Sequence, residues 1–519
     1  MTRKTLTADR RQVLKGLGAA GGAAAAASLG LLGQPRAQVP EGSGTDPRFL
    51  IVMGCSGGAS IIDGALAIRA SECSQPQVLN TFPDALVSQP DGSPLRAVDQ
   101  DFDALGNIPA AVQARQGWFV QKHHAQMAVA TWERTSVNHA IGQRRAVTGN
   151  EAWAGRTLQE CVALQHGAGR PLPNVHLMGG SGFTERGTDA SLPAWAFGEA
   201  VTDPRTWPLS LDAVKGIQGA PGRGLFDRAR ALRDGRVDAL SRFAQVFDKS
   251  TRLRHWRHIR SDARQGIEAL DLISKLMLKV QGPDAPLAEL GLTSSPVIGR
   301  VREVFPNLEN DKLEAQAALA FLLIKYGVSV TVTLGPGGDF VLDPEFDGFS
   351  LGAIGGGGGP VLPVGAVKNP PIAFDFSHNG HRSVQAFMWD RMYKVADGLI
   401  TLLAEEEFGG GQSYWDRSLI YFASDFGRDK HRPEGAPEFG TGHSVNNGVL
   451  ALSPLIKGDT VLGGVDPETG LTYGCDPRTG APEAGRKNSE AEVFSGLLSA
   501  LKVDTAGSGL PDFSALPRG

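Results

Sequence analysis

Residues 318–334, ALAFLLIKYGVSVTVTL, decide the fold, because an apolar helix pattern passes directly into an alternating strand pattern. Asn310 is placed to cap this helix, and Gly327 is placed to end it. Residues 328–334 then alternate with period two, which predicts a strand. A helix that is followed at once by a strand is typical of a chain with a parallel sheet.

Other segments support the same fold class. Apolar residues recur at i+3 and i+4 from Val384 to Leu402, and Gly409 supplies a stop for this second long helix. Strands that alternate with helices predict an α/β fold in which a mostly parallel sheet has helices on both faces. The further predicted strands are residues 49–53, 127–130, 419–423 and 449–452.

The middle of the chain differs from its flanks. From about residue 225 to 280 the pattern is helical and basic, and we interpret about 225–300 as a helical insertion. Its bases fit a solvated face, and the alternative is one wall of an anion-binding cleft. The clustered cationic and imidazole residues are Arg252, Arg254, His255, Arg257, His258 and Arg260.

The first 37 residues have the pattern of an export signal. Arg10-Arg11 precedes a short Gly/Ala-rich apolar stretch at 16–33, and residues 35–37, Pro-Arg-Ala, offer a cleavage site. The paired arginines are similar to the twin-arginine motif. We therefore expect residues 1–37 to engage the twin-arginine translocation machinery and to direct the protein to the periplasm or outside the cell. The alternatives are a basic helix of the mature fold and an uncleaved anchor.

Charge separates this signal from the body. The 519 residues include 51 Lys+Arg and 55 Asp+Glu, whereas residues 38–519 alone have 45 bases and 54 acids, a net charge of −9. That balance lacks the basic footprint of a nucleic-acid-binding protein. No apolar run in this part approaches the length of a membrane span. We expect residues 38–519 to form one exported α/β domain without a stable span.

Two patterns point away from common cofactors. The glycine run at 355–359 lacks the Lys-Ser/Thr of a nucleotide-binding loop, and we interpret it as a flexible loop. No dinucleotide fingerprint or haem-attachment motif supports a redox enzyme. The four cysteines match no zinc or redox spacing, so one or two structural disulfides, or none, are expected. They are Cys55, Cys73, Cys161 and Cys475.

Polar residues follow several predicted strands, where an open α/β sheet binds its ligands. Carboxylates and neutral imidazoles that converge from several strand ends suit a divalent cation such as Zn or Mn. Taken singly, each of these residues also fits a helix cap, a turn or a surface position. The candidates are Asp63, His139, Asp375, His378, Asp425 and His443.

A resemblance to a known family rests on segments that occur in a fixed order along the chain. These segments are Arg10-Arg11, residues 57–63 (GGASIID), residues 139–149, residues 317–334, residues 375–378, residues 424–428 (SDFGR) and Gly442-His443. Their order resembles the alkaline phosphatase/sulfatase superfamily. More closely, the mature chain is similar to the exported bacterial family called "domain of unknown function 1501", whose members are described as sulfatase-like.

The resemblance implies a centre for a divalent metal (Zn, Mn, Mg or Ca). Asp63 would match the metal carboxylate that follows the first strand. Asp375 and His378 would match the Asp/His pair of the other metal, with His443 as its later histidine. Asp425 would match the aspartate of the superfamily's Asp-His step.

Three departures from the superfamily pattern limit this comparison. Phe426 occupies the place of the histidine in the Asp-His step. Residues 57–63 lack the histidine of Gly-Gly-Pro-Ser-His-x-Asp, and the spacing from Asp375 to His378 is one residue longer than Asp-x-His. We therefore expect one of the two metal subsites to be weak or absent.

The position of the nucleophile also differs. The resemblance places a Cys or Ser nine residues before a Thr-Gly, and here that position is His139, before Thr148. A covalent intermediate on Ser or Cys is therefore not carried over. His139 could be a metal ligand, a general acid/base, a nucleophile or a structural histidine at a helix start. Arg144 or Arg145 could bind a substrate oxyanion or remain solvated.

Two functions follow from these observations. The first is an exported metal-dependent hydrolase of phosphate or sulfate esters, or of a related small or polymeric anionic substrate, with His139 and Arg144 at the reacting group. The second is a non-catalytic sulfatase-like protein that binds an extracellular polymer or a partner protein. The missing Ser or Cys and the presence of Phe426 favour the second.

Overall fold

The computed structural model describes most of the chain beyond the signal. The described residues are 46–134, 136–215, 217–278, 288–336, 341–342, 367–369 and 373–518. The predicted signal peptide, residues 1–37, and the glycine run at 355–359 lie outside them. No helix within the described residues has the length and apolar character needed to cross a bilayer.

An eight-stranded sheet forms the centre of the fold. In chain order its strands are β1 Phe49–Cys55, β2 Met127–Glu133, β3 Asn174–His176, β4 Glu199–Ala200, β5 Thr331–Leu334, β6 Ser418–Ser424, β7 Asn446–Leu452 and β8 Thr460–Leu462. Their order in the sheet is β8-β2-β7-β6-β1-β5-β3-β4, and β7 alone among these eight runs antiparallel to its neighbours. The prediction of a mostly parallel α/β sheet is therefore confirmed.

Thirteen α-helices surround the sheet within the described residues. They are α1 Ile61–Gly64, α2 Gly117–His123, α3 His139–Thr148, α4 Leu158–His166, α5 Arg223–Leu232, α6 Arg242–Val246, α7 Thr251–Ser261, α8 Ala263–Ala269, α9 Leu272–Leu276, α10 Ile298–Val304, α11 Lys312–Lys325, α12 His381–Glu405 and α13 Glu490–Ala500. Helices α5 to α9 lie in the segment of about 225–300 that the sequence marks as a helical insertion, and α10 begins at its end.

Short strands form smaller sheets outside the central one. Two have three strands each, and the other three are two-stranded pairs. The three-stranded sheets are Val87–Ser88, Ala97–Phe102 and Val112–Arg115, and Gly464–Val465, Thr472–Cys475 and Pro482–Glu483. The pairs are Val341–Leu342 with Val367–Asn369, Glu407–Gly409 with Gln412–Ser413, and Gly427–Arg428 with His443–Ser444.

Helices cover both faces of the sheet. All seven residues of β1 are buried, as expected for a strand that has a neighbour on each side and cover on each face. On β6, the Tyr421 hydroxyl donates to the Ala146 carbonyl of α3 at 3.1 Å, whereas the Phe422 ring lies 5.9 Å from that of Trp389 in α12. Because consecutive strand residues point to opposite faces, α3 and α12 cover opposite sides.

The segment that decides the fold differs from its prediction in two details. Asp311, not Asn310, caps α11, since its carboxylate accepts the N–H of Leu313 at 2.8 Å. Strand β5 begins at Thr331 rather than at 328, because the N–H groups of residues 328 and 329 return to the Leu323 carbonyl in the last turn of the helix. Gly327, at φ +69°, makes that reversal, which is why glycine is suited there.

The four cysteines all lie in described parts of the chain. Each is buried and carries a free thiol, so the fold holds together without a disulfide. Of the alternatives left open by their spacing, the structure has the one with no pairing.

Candidate metal centre

The candidate centre lies at the carboxyl edge of the sheet. Strands β1 and β6 are parallel and finish opposite each other, with Cys55 beside Ser424. Strand β2 runs the same way and leads into α3, whose first residue is His139 and whose cap, Asn138, accepts the N–H of Ile141. The segments that follow these three strands therefore meet at one edge, as expected for an open α/β sheet.

Asp425, directly after β6, is a buried anchor of this edge. Its carboxylate accepts the N–H groups of Gly57 at 3.0 Å and Gly58 at 2.6 Å, and Nδ1–H of His139 at 2.8 Å. Gly57 has φ +100°, and a Cβ there would lie 2.0 Å from the backbone nitrogen of Asp375. Only glycine allows the turn after β1 to approach both aspartates this closely.

The side chains of His139, Asp375 and His443 converge at one place. Nε2 of His139 lies 3.2 Å from Oδ1 of Asp375, and Nε2 of His443 lies 4.0 Å from the same oxygen. These three ligand atoms lie within 4.8 Å of one another. Among the described residues, this is the one region in which a set of three or more His, Cys, Asp or Glu side chains is found by this criterion.

His378 is the fourth member of this group. Its Nε2 lies 3.5 Å from Oδ1 of Asp375 and 2.9 Å from Nε2 of His443. At these distances one imidazole can donate a hydrogen bond to the other, or both can direct lone pairs at a single cation. The four side chains are partly exposed, so an ion has access from solvent.

Hydrogen bonds on the far side of two rings fix their orientation. Nδ1–H of His443 donates to the Val137 carbonyl at 2.9 Å, and Nδ1–H of His139 donates to Asp425. Each bond orients its imidazole ring so that Nε2, on the other side of the ring, is directed at Asp375. A second partner of this kind, a carbonyl or a carboxylate, is the usual support of a metal-binding histidine.

The protonation of these groups follows from their neighbours. Hydrogen bonds to Asp375 and then to Asp425 raise the pKa of His139 to about 9. Burial raises the pKa of Asp375, but the hydrogen bond and charge of His139, followed by the charge of Arg428, outweigh it and bring the pKa to about 2. Burial, followed by the charge of Arg428, lowers the pKa of both His378 and His443. Without an ion, His139 is therefore the protonated ring at neutral pH.

The donor set fits a transition-metal ion. Ligand atoms around a tetrahedral zinc ion lie about 3.3 Å apart when each bond is about 2.0 Å, and three distances from Asp375 Oδ1 are 3.2, 3.5 and 4.0 Å. Imidazole nitrogens suit Zn, whereas Mg and Ca prefer sites built from oxygen. Two or three imidazoles and one carboxylate therefore favour Zn or a similar ion.

Phe426 occupies the place where the superfamily pattern has a histidine. Its ring is buried and stacks on His443, with 3.9 Å between centroids, and lies 4.7 Å from the ring of His139. The neighbouring Asp425 has both oxygens engaged. The geometry therefore supports one metal position rather than two.

Asp63 lies outside this group. It is buried in α1, where it accepts hydrogen bonds from Nε2 of His381 at 3.0 Å and from the side-chain amide of Asn80 at 3.0 Å. Nδ1 of His381 in turn lies 2.9 Å from the hydroxyl of Thr441. These hydrogen bonds stabilise the buried carboxylate of Asp63 without a metal ion.

Arg144 is occupied by other partners. Its guanidinium lies 2.6 Å from a carboxylate oxygen of Glu151 and 3.4 Å from one of Glu185, and it donates to the Arg186 carbonyl at 3.2 Å. To bind a substrate oxyanion, Arg144 would have to leave these contacts. Its assignment to the reacting group therefore receives no geometric support.

Sequence reasoning missed Arg428, which is fully buried beside the centre. Its guanidinium lies 3.3 Å from Oδ1 of Asp375 and donates to the carbonyls of Gly57 and Thr441. It thus joins the turn after β1 to the segment before His443. The signal was available, since Arg428 belongs to the polar segment that begins with Asp425.

A cleft of about 1030 Å³ opens beside His139. Gln143 lines it and also donates from its side-chain amide to the Ser56 hydroxyl at 2.9 Å. Arg252 and Trp256 of the helical insertion also line it. The cleft is large enough for an organic ligand that reaches the candidate centre.

Comparison with known proteins places no further constraint on the function of this site. No protein-family model matches the chain, and no curated protein matches it at a significant level.

Proposed function

We propose that this protein is an exported metal-dependent hydrolase of phosphate or sulfate esters, or of a related anionic substrate. The observation that carries the proposal is the convergence of His139, Asp375 and His443 at the carboxyl edge of the sheet. The order of these residues along the chain resembles that of the alkaline phosphatase/sulfatase superfamily. We propose that the fold belongs to that superfamily. The twin-arginine pattern in residues 1–37 supports export.

Asp375 and His443 are the proposed ligands, with His378 as a further donor. A divalent ion at this position supplies Lewis-acid polarisation of an ester oxygen and favours deprotonation of water. The polar partners of the rings keep Nε2 of His443 and of His139 aimed at Asp375. The carboxylate has the lowered pKa that suits a ligand.

His139 has two roles open to it in this proposal. As a ligand, it would complete a set of two imidazoles and one carboxylate, as in many catalytic zinc sites. As an acid, base or nucleophile, it would resemble the pairs in which a buried carboxylate orients a reactive histidine. The Asp425–His139 hydrogen bond of 2.8 Å supports both.

The test is metal content together with turnover. We expect the purified protein to hold about one transition-metal ion per chain by elemental analysis, and to release nitrophenol from nitrophenyl phosphate, sulfate or phosphodiester. Asp375→Ala/His443→Ala should lose both the metal and the turnover. The matched control, Asp91→Ala/His431→Ala, changes an exposed aspartate and an exposed histidine and should keep both. A protein without bound metal, or a double variant with unchanged metal content, would contradict the proposal.

His139→Gln separates the two roles of that residue. If His139 is a ligand, the variant should lose metal affinity and turnover together. If it moves a proton or attacks the substrate, metal content should remain while turnover falls by about 10²-fold or more.

The non-catalytic alternative is favoured by Phe426 and by the engagement of Arg144. Phe426 fills the position of a second metal ligand, and Arg144 is paired with Glu151 and Glu185. A protein of this kind would bind an extracellular polymer or a partner protein through the same cleft. Retained metal without hydrolysis of any of the three nitrophenyl esters would favour this function.

A further inference from the structure

The helical insertion carries most of the exposed large apolar side chains. Fourteen such side chains occur among the described residues, and eight of them lie between positions 225 and 256, with exposures from 41% to 69%. A concentration of this kind marks an interaction surface rather than ordinary surface variation. The eight are Leu225, Leu232, Val237, Leu240, Phe243, Val246, Phe247 and Trp256.

Several of these side chains are adjacent to one another. The rings of Phe243 and Phe247 lie 4.9 Å apart between centroids. Together with Trp256 they line an apolar pocket of about 420 Å³ between α6 and α7. Leu225 and Leu232, seven positions apart on α5, share one face of that helix. We call the insertion surface the eight apolar residues together with the bases of the same segment that form no ion pair, which are named below.

The charge of this segment is opposite to that of the rest of the chain. Residues 223–260 contain eleven bases and four acids, whereas the remainder of residues 38–519 has 34 bases and 50 acids. Three of the four acids pair with arginines, which leaves Asp248. Seven bases have no ion pair within the described parts of the chain, namely Arg228, Arg236, Arg242, Lys249, Arg252, Arg254 and Arg257.

We propose that the insertion surface docks onto an anionic phospholipid bilayer. Exposed Phe, Trp, Leu and Val side chains enter the boundary between headgroups and acyl chains, while the unpaired bases neutralise lipid phosphates. The proposal concerns peripheral binding and does not depend on the proposed hydrolase activity.

Charge and apolar area together favour this occupant over two others. A second copy of the chain would bring the same excess of seven positive charges against itself, which opposes association. A soluble polyanion would match the bases but would leave the aliphatic and aromatic side chains in water. A bilayer with anionic headgroups buries the apolar side chains and also neutralises the unpaired bases.

The surface adjoins the cleft beside the candidate metal centre. Arg252 and Trp256 line both the apolar pocket and the cleft that His139 borders. Docking would therefore hold the mouth of that cleft near the lipid headgroups.

A fluorescent probe on the insertion surface tests the proposal locally. The four native cysteines are buried, so a dye can be attached selectively to the full-length Val246→Cys variant, at a side chain that is 64% exposed. With vesicles of phosphatidylcholine and phosphatidylglycerol we expect a blue shift of a polarity-sensitive dye. The matched control is the same dye on Leu471→Cys, 45% exposed and outside the insertion, which should show no shift.

Variants then separate the apolar and the electrostatic contributions. In the labelled chain, Phe243→Ser/Phe247→Ser should raise the lipid concentration for half-maximal shift at least tenfold, since two exposed rings are lost. Arg242→Glu/Lys249→Glu should do the same, because each charge near an anionic surface changes partition by roughly fivefold. Pure phosphatidylcholine vesicles and 0.5 M NaCl should weaken the wild-type response. The control Lys457→Glu should leave it unchanged.

Four results would overturn the proposal. The first is no shift at Val246→Cys with anionic vesicles, and the second is an equal shift at Leu471→Cys. The third is sedimentation of the protein as an oligomer that Phe243→Ser/Phe247→Ser disperses, which would make this surface an interface between copies. The fourth is a shift caused by soluble polyglutamate but not by vesicles, which would indicate an acidic protein partner.

Discussion

Asp425→Asn is the sharpest test of how the candidate centre is held together. The three shortest hydrogen bonds that the wild-type carboxylate accepts come from Gly57 N–H, Gly58 N–H and His139 Nδ1–H. Asparagine has the same shape but only one acceptor oxygen, so its amide nitrogen must face at least one of these donors. The asparagine amide N–H and the donor N–H that it faces then both lack an acceptor inside a fully buried site.

The magnitude follows from the loss of those bonds. Each buried polar group left without a partner costs about 1–3 kcal/mol, so we expect the two unpartnered groups to lower the free energy of unfolding by about 2–6 kcal/mol. Loss of a partner that orients a metal-binding histidine typically weakens metal affinity by about 10–100-fold. Urea unfolding in the presence of chelator measures the first effect, and competition with a chromophoric zinc chelator measures the second.

Asp63→Asn is the matched control for this variant. Asp63 is also a buried carboxylate with a histidine partner, His381, but lies outside the candidate centre. We expect it to lose stability while metal affinity stays within about threefold of wild type. The reasoning is refuted if Asp425→Asn keeps wild-type metal affinity, or if Asp63→Asn weakens the metal as much as Asp425→Asn does.

Three further predictions concern the turn after β1, the cleft and the stability of the fold. Gly57→Ala should abolish metal binding and lower the melting temperature, because its Cβ would lie 2.0 Å from the Asp375 backbone nitrogen at φ +100°; calorimetry and elemental analysis check this. Arg144→Gln should change KM for nitrophenyl esters less than threefold, since Glu151 already holds the guanidinium, and a tenfold rise would contradict this. Burial lowers the pKa of His176 to about 4 from 6.5, so the contribution of His176 to the free energy of unfolding should be constant above about pH 6.5 and fall by up to about 3 kcal/mol towards pH 4. His176→Gln should flatten that fall in urea titrations at successive pH values.

The parts of the centre that sequence could predict are those set by strand topology. Polar residues that follow parallel strands meet at one edge, and this rule brings His139 and Asp425 together although 286 positions separate them. The same rule singled out Asp375 and His443, and the family resemblance assigned them to one metal. The common feature is that backbone topology alone determines the approximate place of each residue.

The pairings that the sequence did not predict depend on which side chain contacts which partner. Asp63 follows β1 by only a few residues, yet the helical turn α1 carries it to His381. Arg144 lies one turn and a half beyond His139, but Glu185, far along the chain, supplies one of its partners. Periodicity gives the direction of a side chain from its helix, whereas pairing depends on loops whose course the pattern does not specify.

In the proposed function, the charges of the candidate centre would couple the binding of a metal ion to the binding of an anionic substrate. At neutral pH the carboxylates of Asp375 and Asp425 are balanced by Arg428 and by the protonated ring of His139, whose pKa is raised to about 9. If His139 is a ligand in the proposed function and a divalent cation takes the place of its proton, the same four side chains and the ion carry a net charge of +1. An anionic ester is then attracted to the loaded centre but not to the empty one. By linkage, an anion that binds the loaded centre must tighten metal binding by the same factor by which the metal tightens the anion.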